Sequence, residues 1–187
     1  IRDHIYNMMC NVLDNAQVEY LKWDFNRSIG DIFTIALPAD RQGETAHKYI
    51  LGLYEFLENL NKRYPGMLIE GCSGGGGRFD AGMLYYTPQI WTSDDTDSIE
   101  RLKIQYGTSF CYPVSTMGAH VSASPNHQTG RAASLSTRAT VAMAGTFGYE
   151  LDPAKLTEEE KAEVRTQIET FKKYYSLIQD GTYYPVS

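Results

Sequence analysis

Hydrophobic residues recur along this chain with two different spacings. Short apolar runs are typical of buried strands, and longer segments with apolar residues every three or four positions are typical of amphipathic helices. Thr157, with Glu160 three residues later, predicts a capping box at the start of the last helix. Strands are predicted over 18–24, 67–73, 89–95, 110–118 and 146–152. Helices are predicted over 1–15, 44–63, 98–109, 130–145 and 156–178, with a short helical turn at 79–83.

The order of these elements indicates the fold class. Strands that alternate with helices are typical of parallel βαβ units, and no internal repeat or linker divides the chain. Polar residues stand at the carboxyl ends of the predicted strands, the edge at which (β/α)8 barrels and open α/β sheets carry their active sites. Because five strands are too few for a complete barrel, we predict one α/β domain, the later part of a TIM barrel. These strand-end residues are Asp24, Cys72, Ser73, Asp94, Asp95, His120 and Asp152.

Composition narrows the class of partner and the compartment. Hydrophobic residues make up 42% and charged residues 21%, which is ordinary for a folded globular domain. A net charge of −6 disfavours a nucleic acid or an anionic membrane as partner. No apolar run approaches the roughly 18 residues of a membrane span. The cysteines Cys10, Cys72 and Cys111 form no CxxC pair, which favours a reducing, cytoplasmic location.

Two carboxylates are candidates for catalysis. Asp24 ends an apolar strand in "KWDFNR", and Asp94 ends another in "SDDTD". Carboxylates from different strand ends that meet over one cleft suit a reaction needing a nucleophile or base and a separate acid. The structural alternative is that Asp24 caps a helix or pairs with Lys22 or Arg27, and that "SDDTD" only caps helix 98–109. Asp97 stands where the N-cap of helix 98–109 belongs.

Lys22 and Asn26 flank Asp24 two residues to either side. In an extended segment such residues share a face, so Lys22 and Asp24 can point into one cleft. A lysine there can donate to a sugar hydroxyl and keep the carboxylate ionised. A plain structural ion pair is the alternative, and for Arg27 a structural role is favoured.

The glycine run 74–77, directly after Cys72 and Ser73, has several interpretations. It lacks the GxxxxGK[ST] and GxGxxG patterns, so a phosphate cradle is only weakly indicated. Absent side chains would also let a ligand approach the backbone, beginning at Gly74; a flexible turn is the third interpretation. Cys72 fits a small neutral residue lining the cleft better than a nucleophile, because no histidine lies at a recognisable thiol-protease position.

Aromatic and imidazole side chains complete the set of candidates. Trp91 and Trp23 offer faces for stacking on a sugar, although a buried strand tryptophan is commonly a core residue. His120 and His127 lie in a predicted polar loop after strand 110–118, and their spacing of seven does not match short metal motifs. We therefore expect hydrogen bonding at the mouth of the cleft from these histidines, and no metal.

Three long motifs resemble the catalytic domain of bacterial α-galactosidases of glycoside hydrolase family 36: "YLKWDFNRSI", "EGCSGGGGRFDAGMLYYTPQIWTSDDTDSIERLKIQYGTS" and "YPVSTMGAHVSASPNHQTGR". The resemblance implies a (β/α)8 barrel, here roughly strands 4 to 8, that hydrolyses terminal α-galactosides such as melibiose and raffinose with retention. It implies that Asp24 is the nucleophile and Asp94 the acid/base. It further implies that Lys22 and Asn26 contact galactose, and that Cys72 lies before the glycines of the site.

The resemblance also sets expectations for ligands and for the chain by itself. It implies α-galactoside oligosaccharides as partners and no cofactor, and it leaves open a homo-oligomer of the full-length enzyme. In the family, an aspartate pair and an arginine that also contact substrate lie upstream of this segment. We therefore expect the 187 residues alone to be inactive and marginally folded, because an open half-barrel exposes strand edges.

Other functions remain open at this point. An α-N-acetylgalactosaminidase or a galactosyl-transferring raffinose or stachyose synthase would share both aspartates. From other classes, the chain could be a non-catalytic sugar-binding half-barrel or a phosphate-binding α/β domain.

Overall fold

A computed structural model describes residues 1–26, 30 and 32–184, and within them five strands form one parallel sheet. The strands are β1 (Tyr20–Asp24), β2 (Leu68–Cys72), β3 (Gln89–Trp91), β4 (Met117–Ser122) and β5 (Thr146–Glu150), and they pair in chain order. Each strand is followed by a helix, so the chain repeats one βα unit and the sheet curls into half of a barrel. The predicted partial TIM barrel is confirmed.

The helices overlap the predicted ranges, but the one predicted over 130–145 is shorter in the structure, because Ser134 caps its start and it ends at Ala142. They are α1 (Arg2–Leu13), α2 (Thr45–Arg63), α3 (Ala81–Tyr86), α4 (Ser98–Ser109), α5 (Leu135–Ala142) and α6 (Glu158–Asp180), with 3-10 turns at Ala39–Glu44, Val114–Thr116 and Pro153–Lys155. The predicted bounds of α4 are confirmed. So is the capping box of α6, in which the side chains of Thr157 and Glu160 each accept a backbone N–H of the other residue.

The two faces of the sheet differ in chemistry, because the strand register places apolar side chains on one face and polar side chains on the other. Apolar residues of the convex face and of the helices that cover it form two clusters, one including Leu57, Leu60, Ile69, Ile90 and Met83, the other including Ala119, Val121, Leu135, Ala139 and Ala142. In the parallel register Lys22 pairs with Glu70 and Asp24 with Cys72, so these side chains share the opposite, concave face. That face also carries Gln89, Trp91, His120 and Glu150. The polar side chains therefore line the inside of the half-barrel.

Two predicted strands differ from the structure by several residues, and the other three by one or two residues at an end. The prediction of a strand over 110–118 is wrong: Pro113 cannot donate to a ladder, the chain makes a 3-10 turn at Val114–Thr116, and β4 runs from Met117 to Ser122. His120 is consequently a strand residue and does not lie in a loop. The strand predicted over 89–95 stops at Trp91, because the next residues leave the sheet to pack on the glycine loop.

Candidate functional site

Asp24 and Asn26 form the first part of the site, at the carboxyl end of β1. Asn26 Nδ2 donates to Asp24 Oδ2 over 3.1 Å, and Asn26 Oδ1 accepts the backbone N–H of Gly74. Asn26 therefore ties the Asp24 carboxylate to the start of the glycine loop. Both side chains are exposed toward the concave side. Arg27, for which the sequence favours a structural role, lies outside the described residues.

Lys22 has a different partner from the one that the sequence suggested. Its Nζ lies 3.4 Å from Glu70 Oε1 on the neighbouring strand and 4.4 Å from the centroid of the Trp91 ring. The ion pair of this lysine is therefore with Glu70, its register partner, while Asp24 is held by Asn26.

Sequence reasoning missed Glu70, which lies on the same concave face as Lys22 and Cys72. It is 0% exposed, its Oε2 accepts hydrogen bonds from Gln89 Nε2 at 2.6 Å and from the Tyr20 hydroxyl, and burial raises its pKa to about 7. The hydrogen bond from Gln89 acts in the opposite direction, and the charge of Glu150 adds to the increase. The available signal was the acid in the middle of the apolar strand "MLIEGCS", since a buried glutamate requires partners.

Cys72 lies among the candidate groups. It is 4% exposed, and burial raises the pKa of its thiol. A hydrogen bond with the backbone of Gly75 and the charge of Lys22 lower that pKa, whereas the charges of Asp24 and Asp94 raise it. Both carboxylates are thus close enough to act on one thiol, which stays neutral near pH 7. The neutral thiol fits a lining residue and disfavours a nucleophile.

The glycine loop packs against the segment that carries Asp94. A Cβ on Gly75, whose φ is +77°, would lie 2.6 Å from Ser93 Cα and 2.9 Å from the Asp94 nitrogen. A Cβ on Gly76 would lie 2.7 Å from the Thr92 carbonyl oxygen. These two glycines therefore leave room for the backbone of 92–94, whereas the sequence led us to expect that they leave room for a ligand. At Gly74, with φ +54°, the nearest atom to an added Cβ would be Asn26 Oδ1 at 4.0 Å, so this position faces open space.

Asp94 itself is exposed, and its neighbours are anchored on both sides. Arg101 of α4 donates through Nη1 to the Ser93 carbonyl over 3.0 Å, and the N–H of Asp95 donates to Ser93 Oγ over 3.0 Å. Arg101 is 3% exposed and burial lowers its pKa to about 10, so it remains a cation at neutral pH. The carboxylate of Asp94 is thus presented by a segment whose backbone is fixed.

Asp97 performs the structural role that its position predicts. Its Oδ1 accepts the N–H of Ile99 at 2.8 Å, and Arg131 Nη1 donates to the same oxygen at 2.7 Å. Burial alone would raise the pKa of Asp97, but hydrogen bonds from Thr129, from the start of α4 and from Arg131 hold it below its usual value. The N-cap interpretation of Asp97 is confirmed.

Trp91 lies underneath the site. It is 3% exposed, its ring contacts that of His120 at a centroid distance of 4.6 Å, and the Arg101 guanidinium is 4.6 Å from its centroid. With Lys22 also against the ring, little of it is open to a sugar. The structure therefore favours the core alternative for Trp91, in which it supports Lys22. Trp23 packs edge-on against Phe56 on the helix side.

The two histidines lie in different parts of the structure. His120 Nδ1 lies 3.6 Å from Glu150 Oε2 inside the half-barrel, and burial lowers its pKa. His127 is exposed in the loop after β4. Within the described part of the chain, no three His, Cys, Asp or Glu side chains are placed to hold a metal ion.

The arrangement defines a class of protein. A parallel half-barrel with two carboxylates, an ammonium, an amide and a neutral thiol at the carboxyl ends of its strands is built like the active edge of a barrel glycosidase. The melibiase family model matches residues 1–181. The chain belongs to the melibiase family.

Relatives and solved structures support this assignment. The chain is 59% identical over 187 residues to the bifunctional alpha-galactosidase/sucrose kinase AgaSK of Mediterraneibacter gnavus, covering 100% of this chain and 19% of that protein. It is 57% identical, with a TM-score of 0.94, to a variant of the GH36 alpha-galactosidase AgaA from Geobacillus stearothermophilus in complex with raffinose, covering 98% of this chain and 26% of that one. A stachyose complex of another AgaA variant gives 57% identity and a TM-score of 0.93, with coverages of 97% and 25%. The chain thus spans about a fifth to a quarter of the length of these relatives.

None of the helices among the described residues combines the length and the apolar character that crossing a bilayer needs. The three cysteines are all free, with Cys10 and Cys72 buried and Cys111 exposed.

Proposed function

We propose that residues 1–187 are the C-terminal part of a (β/α)8 catalytic domain that hydrolyses terminal α-galactosides with retention of configuration. The observation that carries the proposal is that Asp24, the register partner of Cys72, and Asp94, whose backbone packs on Gly75 of the loop after Cys72, lie at the same carboxyl edge of the sheet. Raffinose and stachyose, which the AgaA variants bind, indicate α-galactoside oligosaccharides as the substrates.

Each side chain has a distinct role in this mechanism. Asp24, ionised, attacks the anomeric carbon while Asp94, protonated, donates its proton to the departing oxygen. A covalent galactosyl-enzyme results. Asp94 then takes a proton from water, and the water attacks the anomeric carbon and releases galactose and Asp24.

The neighbouring groups bind and orient the sugar. Lys22 and Asn26 offer N–H donors to galactose hydroxyls, and the backbone at Gly74 faces the open side of the site. Cys72 lines the site as a small neutral group, which suits galactose with a free 2-hydroxyl. We place the protein in the cytoplasm, where free thiols persist, and the net charge of −6 favours a neutral sugar over nucleic acid.

The experiment that tests the proposal replaces each carboxylate in the complete natural chain that carries this sequence. With p-nitrophenyl α-galactoside, Asp24→Asn and Asp94→Asn should each lower kcat by about 10³-fold or more. Asp95→Asn is the matched control: it removes a charge from the same segment but keeps the oxygen that accepts the N–H of Asp97. This control should retain turnover within about tenfold.

Azide distinguishes the two roles. With Asp24→Gly, azide should attack in place of the missing carboxylate and give the β-galactosyl azide. With Asp94→Gly, azide should intercept the covalent intermediate and give the α-galactosyl azide. Substantial turnover by Asp24→Asn, or an inverted first-formed sugar in wild-type hydrolysis followed by NMR, would refute the mechanism.

The same assays separate the alternative functions. Faster cleavage of the 2-acetamido substrate would identify an α-N-acetylgalactosaminidase, and transfer of galactose to sucrose or raffinose would identify a synthase. Galactose binding without turnover would indicate a non-catalytic sugar-binding protein.

A further inference from the structure

Glu70 is a fully buried acid to which the proposed mechanism gives no role. It lies on the concave face of β2, two residues before Cys72, and is 0% exposed. An ionised carboxylate in such a place costs several kcal/mol unless specific partners compensate. Its two oxygens have different surroundings, and the difference indicates what the residue does.

Neutral donors hold one oxygen of this carboxylate. Oε2 accepts from the Tyr20 hydroxyl and, at 2.6 Å, from Gln89 Nε2, and Gln89 Nε2 also donates to the Tyr20 hydroxyl oxygen over 3.1 Å. Donors from β1 and β3 thus fix the carboxylate from both neighbouring strands.

The other oxygen is directed at Lys22. Among the described residues, Oε1 has no hydrogen-bond donor, and the Lys22 ammonium lies 3.4 Å from it. A lysine side chain has several rotatable bonds and would otherwise be free to turn toward Asp24, which lies two residues further along the same face.

We propose that Glu70 is a positioning residue that holds the Lys22 ammonium against Trp91 and beside Cys72. Its negative charge balances Lys22, so that the lysine does not close onto Asp24 and its remaining N–H groups stay directed at the sugar. As a role in galactoside binding, this inference rests on the proposed function.

The charged surroundings make this arrangement dependent on pH. The groups that face Glu70 are Tyr20 and Lys22 on β1 and, from across the half-barrel, Glu150 on β5. Burial, reinforced by Glu150 and opposed by Gln89, gives Glu70 a pKa of about 7. Glu70 is therefore neutral below that pH, and the ion pair with Lys22 is complete only above it.

Glu70→Gln tests the inference in the complete natural chain, because it keeps the shape of the side chain and removes its charge. With p-nitrophenyl α-galactoside at pH 8, KM should rise about tenfold and kcat should change less. In the wild type, kcat/KM should fall as the pH decreases through 7, and this step should be absent in Glu70→Gln. Glu70→Asp, which restores the charge, should recover part of the loss.

Ile69→Val is the matched control for a purely structural effect. Ile69 precedes Glu70 on β2, but its side chain packs on the opposite, helix-facing side and is 1% exposed. This variant should lower Tm and leave KM and the pH profile unchanged. If Glu70→Gln does not fold, Tyr20→Phe, which removes one donor from Oε2 at a position 48% exposed, should still raise KM about threefold. An unchanged KM and pH profile in the folded variants would overturn the inference.

A second measurement needs no substrate and so separates this inference from the proposed function. Acetic anhydride acylates free amines, and mass spectrometry gives the rate at each lysine. Glu70→Gln should speed acylation of Lys22 about fivefold relative to the exposed Lys62, whereas Ile69→Val should not. If the wild type cleaves no α-galactoside but Lys22 becomes more reactive in Glu70→Gln, the proposed function fails and the positioning role stands. An unchanged rate at Lys22 overturns the positioning role whatever the activity.

Discussion

At the scale of single residues, burial and nearby charges shift the pKa values of neighbouring acids, and the resulting charge states near pH 7 differ. Burial raises the pKa of both Cys72 and Glu70, but the thiol is neutral near pH 7 whereas the carboxyl titrates there. Asp24 and Asp94 are exposed at the same edge and so remain accessible to a ligand. The concave face therefore places neutral, titrating and charged groups within one small area.

Glu70 should make stability fall as the pH rises. Its pKa in the folded state, about 7, lies above the ordinary value of 4.5, so between these values the folded protein binds more protons than the unfolded one. The free energy of unfolding should therefore fall by about 3 kcal/mol between pH 4.5 and pH 8. Glu70→Gln has no carboxyl that titrates in this range. The free energy of unfolding of this variant, relative to that of the wild type, should therefore increase by about 3 kcal/mol from pH 4.5 to pH 8. Denaturant unfolding at the two pH values measures it, and parallel pH dependences for the two proteins would contradict it.

At the scale of elements, the loop after β2 determines where the segment after β3 can lie. Gly75 and Gly76 allow the backbone of 92–94 to approach so closely that even a methyl group would collide with it. Arg101 then holds the same segment from α4. Asp94 is therefore positioned by backbone contact between two adjacent βα units.

Gly75→Ala should consequently impair catalysis through Asp94. The added Cβ would meet Ser93 Cα at 2.6 Å, and a φ of +77° is unfavourable for alanine. We expect kcat to fall about 10²-fold, the usual cost of a displacement near 1 Å. Gly66→Ala is the control, because no atom lies within 4 Å of its added Cβ, and it should keep wild-type kcat. Equal rates for the two variants would show that Asp94 does not depend on this contact.

The N-cap of α4 should make a measurable contribution to stability. Asp97→Ala removes the acceptor of the Ile99 N–H and the partner of Arg131, and should destabilise the protein by about 2 kcal/mol. Asp97→Asn keeps the capping oxygen and should lose about half as much. Urea unfolding of both variants provides the comparison, and an equally large loss in Asp97→Asn would assign the effect to charge instead of capping.

At the scale of the whole molecule, the described sheet has two unpaired edges and an uncovered apolar helix face. Strands β1 and β5 each pair on one side only. On α1, Ile5, Met8 and Val12 are 41%, 58% and 62% exposed. Exposed strand edges and apolar faces favour association with other chains.

Residues 1–187 expressed by themselves should therefore be inactive and melt without a sharp transition. Calorimetry and turnover of p-nitrophenyl α-galactoside check the two parts separately. A cooperative transition together with activity would refute this expectation and would show that the half-barrel suffices for catalysis.

The sequence by itself determined the elements and the identity of the candidate carboxylates. Apolar periodicity and local capping residues placed α4 and α6, and the motifs around Asp24 and Asp94 marked the strand ends that converge. These signals are local, since they depend on residues within one turn or one strand. The same local reasoning misjudged 110–118, where an apolar run suggested a strand although Pro113 interrupts it.

Only the tertiary structure decided which groups face one another. Glu70 meets Lys22 because parallel register aligns β1 with β2, residues 48 positions apart in the chain. Only the fold explains why Gly75 carries no side chain, because the backbone of Ser93 occupies the space that a side chain there would fill. Trp91 likewise proved to be covered by Lys22 and Arg101. Cross-strand register and backbone contact join distant segments, so no pattern within one segment encodes them.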